Sequence, residues 1–80
     1  MAIEVQLLGT LGCHLCEQAE QLLMPWLARD VVVELLDIAE SEALVARYGL
    51  RIPVLRRERD GAELGWPFDE RSLAAFLQGG

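Results

Sequence analysis

The chain holds two cysteines, Cys13 and Cys16, in the stretch GTLGCHLCEQAEQLL that runs from Gly9 to Leu23. Two thiols three residues apart can serve as a metal clip, a structural staple or a working dithiol. Structural zinc takes four ligands, and there is no second cysteine pair to complete a site. As a staple, a loop of four residues contributes only about 2 kcal/mol in the chain-entropy model, and ring strain comes off that. A dithiol needs a nucleophile and a resolver. A cysteine in the first turn of a helix meets unpaired backbone N–H groups and the positive end of the helix dipole. Both favour the thiolate, which is the attacking species. Three residues on, a second cysteine lies one turn away on the same face, within reach of a mixed disulfide on the first. The spacing therefore points to Cys13 as nucleophile and Cys16 as resolver. The bland alternative is a pair of buried structural cysteines that share this spacing by accident.

That chemistry requires a strand to deliver the pair and a helix to open on it. Ile3, Val5 and Leu7 alternate with Glu4 and Gln6, so residues 2–8 read as a strand, broken by Gly9 to Gly12. Leu15, Ala19, Leu22, Leu23, Trp26 and Leu27 form one helical stripe, with Glu17, Gln18, Glu20 and Gln21 on the other side. Pro25 kinks or ends that helix. Val31 to Leu36 reads as a buried, β-branched strand closed by Asp37. Ser41 caps a short helix carrying Leu44, Val45 and Tyr48, with Gly49 at its C′ stop. Val54–Glu58 and Ala62–Trp66 flank Asp60-Gly61, a hairpin signal. Asp69 caps a last helix with Leu73, Phe76 and Leu77 facing inward. The order is β-α-β-α-β-β-α. The first two strands, joined by a helix, should run parallel through a right-handed crossover. The hairpin should pair antiparallel to them. The expected architecture is α/β, a mixed four-stranded sheet with helices on both faces, in one domain over residues 1–80.

Composition agrees with that size and excludes several functions. The chain has 80 residues, of which 52% are hydrophobic, enough for a real core. A domain of this length buries roughly two-thirds of its unfolded surface. The net charge of −6 argues against nucleic acid, which needs a basic face. The basic residues are all arginine, a compositional habit rather than a function. The first residues, Met1-Ala2-Ile3-Glu4-Val5, lack the positive region and apolar core of a signal peptide. No apolar run reaches the roughly 18 residues of a membrane span. The expectation is a cytoplasmic monomer with no membrane and no nucleic-acid partner. In a reducing compartment a close cysteine pair is more often catalytic or metal-binding than structural.

Three stretches carry a resemblance: GCHLC after the first strand, RYGLRIPVL before the third, and DGAELGWPFD leading into the last helix. Together they resemble the thioredoxin superfamily, and specifically the small bacterial glutaredoxin-like proteins. The likeness covers nearly the whole chain. Its most specific part is C-x-x-C followed about forty residues later by Ile52-Pro53. The resemblance implies a thioredoxin-like (glutaredoxin-like) fold and a thiol–disulfide oxidoreductase with a protein or small-molecule disulfide as substrate. It also implies a cis Pro53 against the dithiol. Glutathione and the thioredoxin system are the alternative reductants, and no tightly bound cofactor is expected. The chain departs from glutaredoxins at two places. Gly9-Thr10-Leu11-Gly12 replaces the usual aromatic residue and proline before the first cysteine. Gly65-Trp66-Pro67-Phe68-Asp69 replaces the Gly-Gly step before the acidic cap of the last helix, where the γ-glutamyl end of glutathione docks. Pro67 has no backbone N–H to donate there.

The remaining candidate residues surround this pair. His14, between the cysteines, either tunes the dithiol potential or is an exposed polar residue. Glu17 either relays a proton from Cys16 or stands on a solvated helix face. Arg51, just before Ile52-Pro53, is a candidate for binding an anion or the Cys13 thiolate. Ile52 is expected to offer its backbone N–H and C=O to an extended substrate segment. Trp66 is either core or the wall of a substrate groove, and Trp26 is core. Asp69 is the acidic substrate-binding position that the resemblance implies. Arg56, Arg57 and Arg59 read as an exposed hairpin edge. A different class of function stays open: a redox-sensitive binding module, or a scaffold for a [2Fe–2S] cluster bridging Cys13 of two chains.

Overall fold

The computed structural model describes residues 2–78; Met1, Gly79 and Gly80 of the expected 1–80 domain lie outside the described residues. The elements are β1 (Ile3–Gly9), α1 (His14–Leu23), β2 (Val31–Asp37), α2 (Glu42–Tyr48), β3 (Val54–Arg57), β4 (Glu63–Gly65) and α3 (Glu70–Gln78). Short 3₁₀ segments at Met24–Arg29 and Ile38–Glu40 lead into and out of β2. The sheet order is β2-β1-β3-β4. β1 and β2 run parallel, with Ile3 opposite Val31 and Gly9 opposite Asp37. β3 lies antiparallel to β1, with Leu8 opposite Val54, and β4 lies antiparallel to β3. The fold is the mixed four-stranded α/β architecture expected.

Alternation along β1 sends successive side chains to opposite faces of the sheet. Val5 and Leu7, with Leu55 of β3, pack against Ala19 and Leu23 of α1 and Leu73 and Leu77 of α3. Leu8 and Val54 pack on the other face against Ile38 and Tyr48. The α2 helix opens on Ser41, whose Oγ accepts the Leu44 N–H. Its C-terminal glycine departs from the expected left-handed stop. Gly49 keeps right-handed dihedrals, φ −55° and ψ −31°, and donates its N–H to the Val45 carbonyl.

Three other expectations are corrected. The strand β2 is an edge, so it is not buried throughout: Val32 is 52% and Leu35 60% exposed. The stripe on the first helix is narrower than the sequence pattern. Cys16, Ala19 and Leu23 define its buried line, and Leu15 lies one residue, about 100°, away from it and is exposed. Pro25 falls in the Met24–Arg29 segment, where the tighter 3₁₀ winding rotates Leu27 out to solvent. The arginines of β3 are not an exposed edge, because β3 is an inner strand. Arg57 is buried, holds both Asp60 oxygens at 3.0 and 2.8 Å, and donates to the Phe76 carbonyl at 2.8 Å. It ties the hairpin turn to α3.

Candidate dithiol site

Cys13 is the N-cap of α1, with extended dihedrals φ −85° and ψ 107°. Gly12 before it has φ +76°, a left-handed conformation open to glycine at little cost. The Cys13 carbonyl accepts the Glu17 N–H at 3.2 Å, and its Sγ accepts the Cys16 N–H at 3.2 Å. The sulfur thus occupies the place of a capping oxygen, facing an N–H that the helix leaves without a partner. Cys13 and Cys16 are joined in a disulfide, with their Cα atoms 5.2 Å apart. Cys16 is 5% exposed, whereas Cys13 is half-buried, so Cys13 is the accessible end of the pair.

What holds Cys16 in place is the end of β1. A Cβ built on Gly9 would stand 2.8 Å from Cys16 Sγ. The missing side chain of Gly9 is the space the sulfur fills. The antiparallel register, Leu8 opposite Val54, brings Pro53 to this same end of the sheet. The Pro53 carbonyl in turn accepts the Trp66 N–H at 3.2 Å. Cys16, Gly9, Pro53 and Trp66 therefore follow one another across the sheet. The Ile52–Pro53 and Trp66–Pro67 peptide bonds are both cis.

The other candidate residues distribute unevenly. His14 is exposed, with Nδ1 3.9 Å from a Glu17 carboxylate oxygen that is also exposed, a weak and screened pair. Ile52 cannot offer its N–H to a substrate: that group donates to the Tyr48 carbonyl at 3.1 Å. The correction follows from the tight exit of α2, where Arg51 N–H is bonded to the same carbonyl at 2.8 Å. Arg51 turns to the α2 face, where its guanidinium meets Glu63 at 3.1 Å and stands 5.4 Å from the centre of the Tyr48 ring. Tyr48 is fully buried and donates its hydroxyl to Glu63, while Arg56 donates to the Tyr48 oxygen at 3.3 Å. The Tyr48 hydroxyl first, and Arg51 after it, hold the Glu63 carboxyl below the usual carboxylate range. Trp66 is half-buried, packs against the core and meets Phe68 edge-on at 4.9 Å. Asp69 is the cap of α3: its carboxylate accepts the Ser72 N–H at 2.8 Å, and its own N–H donates to Ser72 Oγ at 2.9 Å. The Ser72 N–H holds its carboxyl below the usual range.

Sequence reasoning missed Gly9 and the Tyr48–Glu63 network. A glycine closing a strand just before the cysteines signals a close approach, but names no atom. Tyr48 and Glu63 are brought together only by the sheet. Among the described residues, no three His, Cys, Asp or Glu side chains converge to hold a metal ion.

A family model described as a glutaredoxin-like domain (DUF836) matches residues 4–78. The chain belongs to this glutaredoxin-like family. No curated protein matches it. The X-ray structure of target protein XcR50 from X. campestris is 41% identical, with a TM-score of 0.84 over 95% of this chain and 97% of that chain. The solution structure of the same protein gives a TM-score of 0.80, covering 100% of this chain and 96% of that one. The solution structure of protein Ne2328 from Nitrosomonas europaea is 28% identical, with a TM-score of 0.83 over 98% of this chain and 94% of that one. A glutaredoxin-like domain with a Cys13–Cys16 disulfide at the head of its first helix fits a thiol–disulfide redox role. Among the described residues, this glutaredoxin-like domain has no helix long and apolar enough to cross a membrane.

Proposed function

We propose that the protein is a thiol–disulfide oxidoreductase working through Cys13 and Cys16. The observation that supports this reading is the asymmetry of the pair: Cys13 caps the helix and is accessible, while Cys16 is buried beneath it. In the reduced protein the Cys13 thiolate, favoured by the helix N-terminus, attacks one sulfur of a substrate disulfide. That bond breaks, a mixed disulfide forms on Cys13, and the first substrate thiolate leaves and takes a proton from water. Cys16 then loses its proton and attacks Cys13 Sγ, releasing the second substrate thiol. The substrate gains two electrons and the pair loses two. An external thiol donor returns them.

The substrate would lie along Pro53, the carbonyl of Ile52 and the Trp66 side of the sheet, with Arg51, paired to Glu63 on the α2 face, as the cation of that loop. Glutathione and a dithiol protein are both candidate donors. Pro67 offers no N–H, and the Trp66 ring packs on Phe68 where a second glycine would leave room, which favours the dithiol protein. The proposed setting is the cytoplasm, with the protein acting as a monomer.

The test uses the two single variants. Cys16→Ser should trap a mixed disulfide with a model substrate, whereas Cys13→Ser should trap almost none. Alkylation of the reduced protein at neutral pH should label Cys13 faster than Cys16, and the reverse order overturns the assignment. Equilibration against glutathione and thioredoxin couples then identifies the donor.

A further inference from the structure

Among the described residues, the strand β2 has a neighbour on one side only, along seven residues paired to β1. Its outer row of N–H and C=O groups is therefore a template for a further strand. Natural edges are blunted by proline, by charged side chains, lysine above all, or by bulges, and the charges on this one are the acidic Glu34 and Asp37. This one reads Val31-Val32-Val33-Glu34-Leu35-Leu36-Asp37, with neither proline nor lysine and with seven unbroken pairs to β1. Val32 and Leu35 are 52% and 60% exposed. Beside the C-terminal half of the strand lies an open hollow of about 150 Å³, lined by Leu11, Leu35 and Leu36, with Cys16 also in its wall. Leu11 on its rim is 89% exposed. A cavity of that size holds a benzene-sized apolar group.

The charges on the strand itself and in the hollow are acidic. Glu20 and Asp37 line the hollow, and Glu34 projects from the middle of the strand and is exposed. Arg29, before the strand, lies against Trp26. We propose that the β2 edge takes up an extended, basic segment of a partner protein by strand addition, with one apolar side chain of that segment in the hollow. Main-chain hydrogen bonds supply affinity in this mode, and pockets for alternate side chains supply specificity. A second copy of the chain suits the edge poorly. Antiparallel self-pairing about the midpoint of β2 would set Glu34 against its own counterpart, between two molecules that each carry a net charge of −6. The hollow shares Cys16 with the dithiol, but the proposal does not depend on the redox reading, because strand addition uses no thiol chemistry.

The experiment is an NMR titration of the oxidised protein with a synthetic peptide of alternating arginine and leucine. Chemical shift changes should map to β2 and Leu11, and the outer amides of β2 should exchange more slowly with solvent in the complex. A peptide with the same side chains but N-methylated at its pairing amides should bind about tenfold more weakly or worse, since it lacks the donors. Glu34→Arg should weaken the basic peptide and favour an alternating glutamate–leucine peptide. Equal binding of the N-methylated peptide overturns the proposal, and this comparison needs only the wild-type protein. So do shift changes at Cys13 and the Pro53 loop that leave β2 unmoved. Concentration-dependent dimerisation through β2, abolished by N-methyl peptide or not, assigns the edge to a second copy and also overturns it.

Discussion

Gly9→Ala is the most direct probe of how the fold holds its buried sulfur. The added methyl would stand 2.8 Å from Cys16 Sγ and 3.2 Å from Cys16 Cβ, where ordinary contact begins at 3.4 Å. Neither side gives way freely. Gly9 is buried and paired to Asp37 at the end of β1, and Cys16 is buried in the first turn of α1. Overpacking of this kind costs about 1–3 kcal/mol. In a domain of this size each kcal/mol lowers Tm by about 4–8 °C, so the variant should melt about 4–24 °C below wild type. Without the clash the sign would be opposite, because replacing glycine by alanine at a compatible position restricts the unfolded chain and stabilises by about 0.4–1 kcal/mol. The assay is thermal unfolding of the reduced proteins in a double-mutant cycle with Cys16→Ala, which removes the sulfur. The coupling should be about 1–3 kcal/mol, with Gly9→Ala nearly harmless once the sulfur is gone. A Gly9→Ala cost that is the same with and without the Cys16 sulfur would refute the contact as its cause.

Other expectations follow from the groups around the sheet. Arg51→Ala should change stability by no more than about 1 kcal/mol, because its pair with Glu63 is half exposed on the arginine side. If Arg51 also serves substrates, the variant should slow reduction of anionic disulfides more than neutral ones, with added salt narrowing the gap; equal losses leave it as a partner of Glu63 alone. Tyr48→Phe removes the hydroxyl bonded to Glu63 and Arg56, and should cost about 1.5–3 kcal/mol by denaturant unfolding. It should also raise the Glu63 pKa, read by NMR titration, since that hydroxyl is the main cause of its depression. Asp60 is held down to about 2 by the Arg57 guanidinium and then by the Ala62 N–H. A depressed carboxyl stabilises the fold above its ordinary pKa, and the stability is lost as pH falls toward the folded value. The difference in stability between wild type and Asp60→Asn should therefore be constant near neutral pH and shrink between about pH 4 and pH 2. A difference that stays flat through that window would show that the Arg57 pair contributes nothing to folding.

Much of this molecule is local, and so was readable from the chain. The alternation of Ile3, Val5 and Leu7 and the caps at Ser41 and Asp69 depend on neighbours within a few residues. The same is true of Cys13 at a helix mouth: the N–H that meets its sulfur belongs to Cys16, three residues on. The dithiol and the order of elements needed nothing more distant. What the sequence could not rank was position within the sheet. Val31 to Leu36 is mostly apolar whether central or marginal, and only the order β2-β1-β3-β4 makes it an edge and sets Arg56 and Arg57 on an inner strand. The partners of the site were hidden for the same reason. Gly9 meets Cys16 across a strand-to-helix crossing, Ile52 loses its N–H to Tyr48 in the turn after α2, and Arg51 is drawn to Glu63 from twelve residues away. Side-chain type and spacing set which secondary elements form. Which atoms those elements press together depends on how strands of similar hydrophobicity are ordered and registered, and that is decided by packing between segments far apart in the chain.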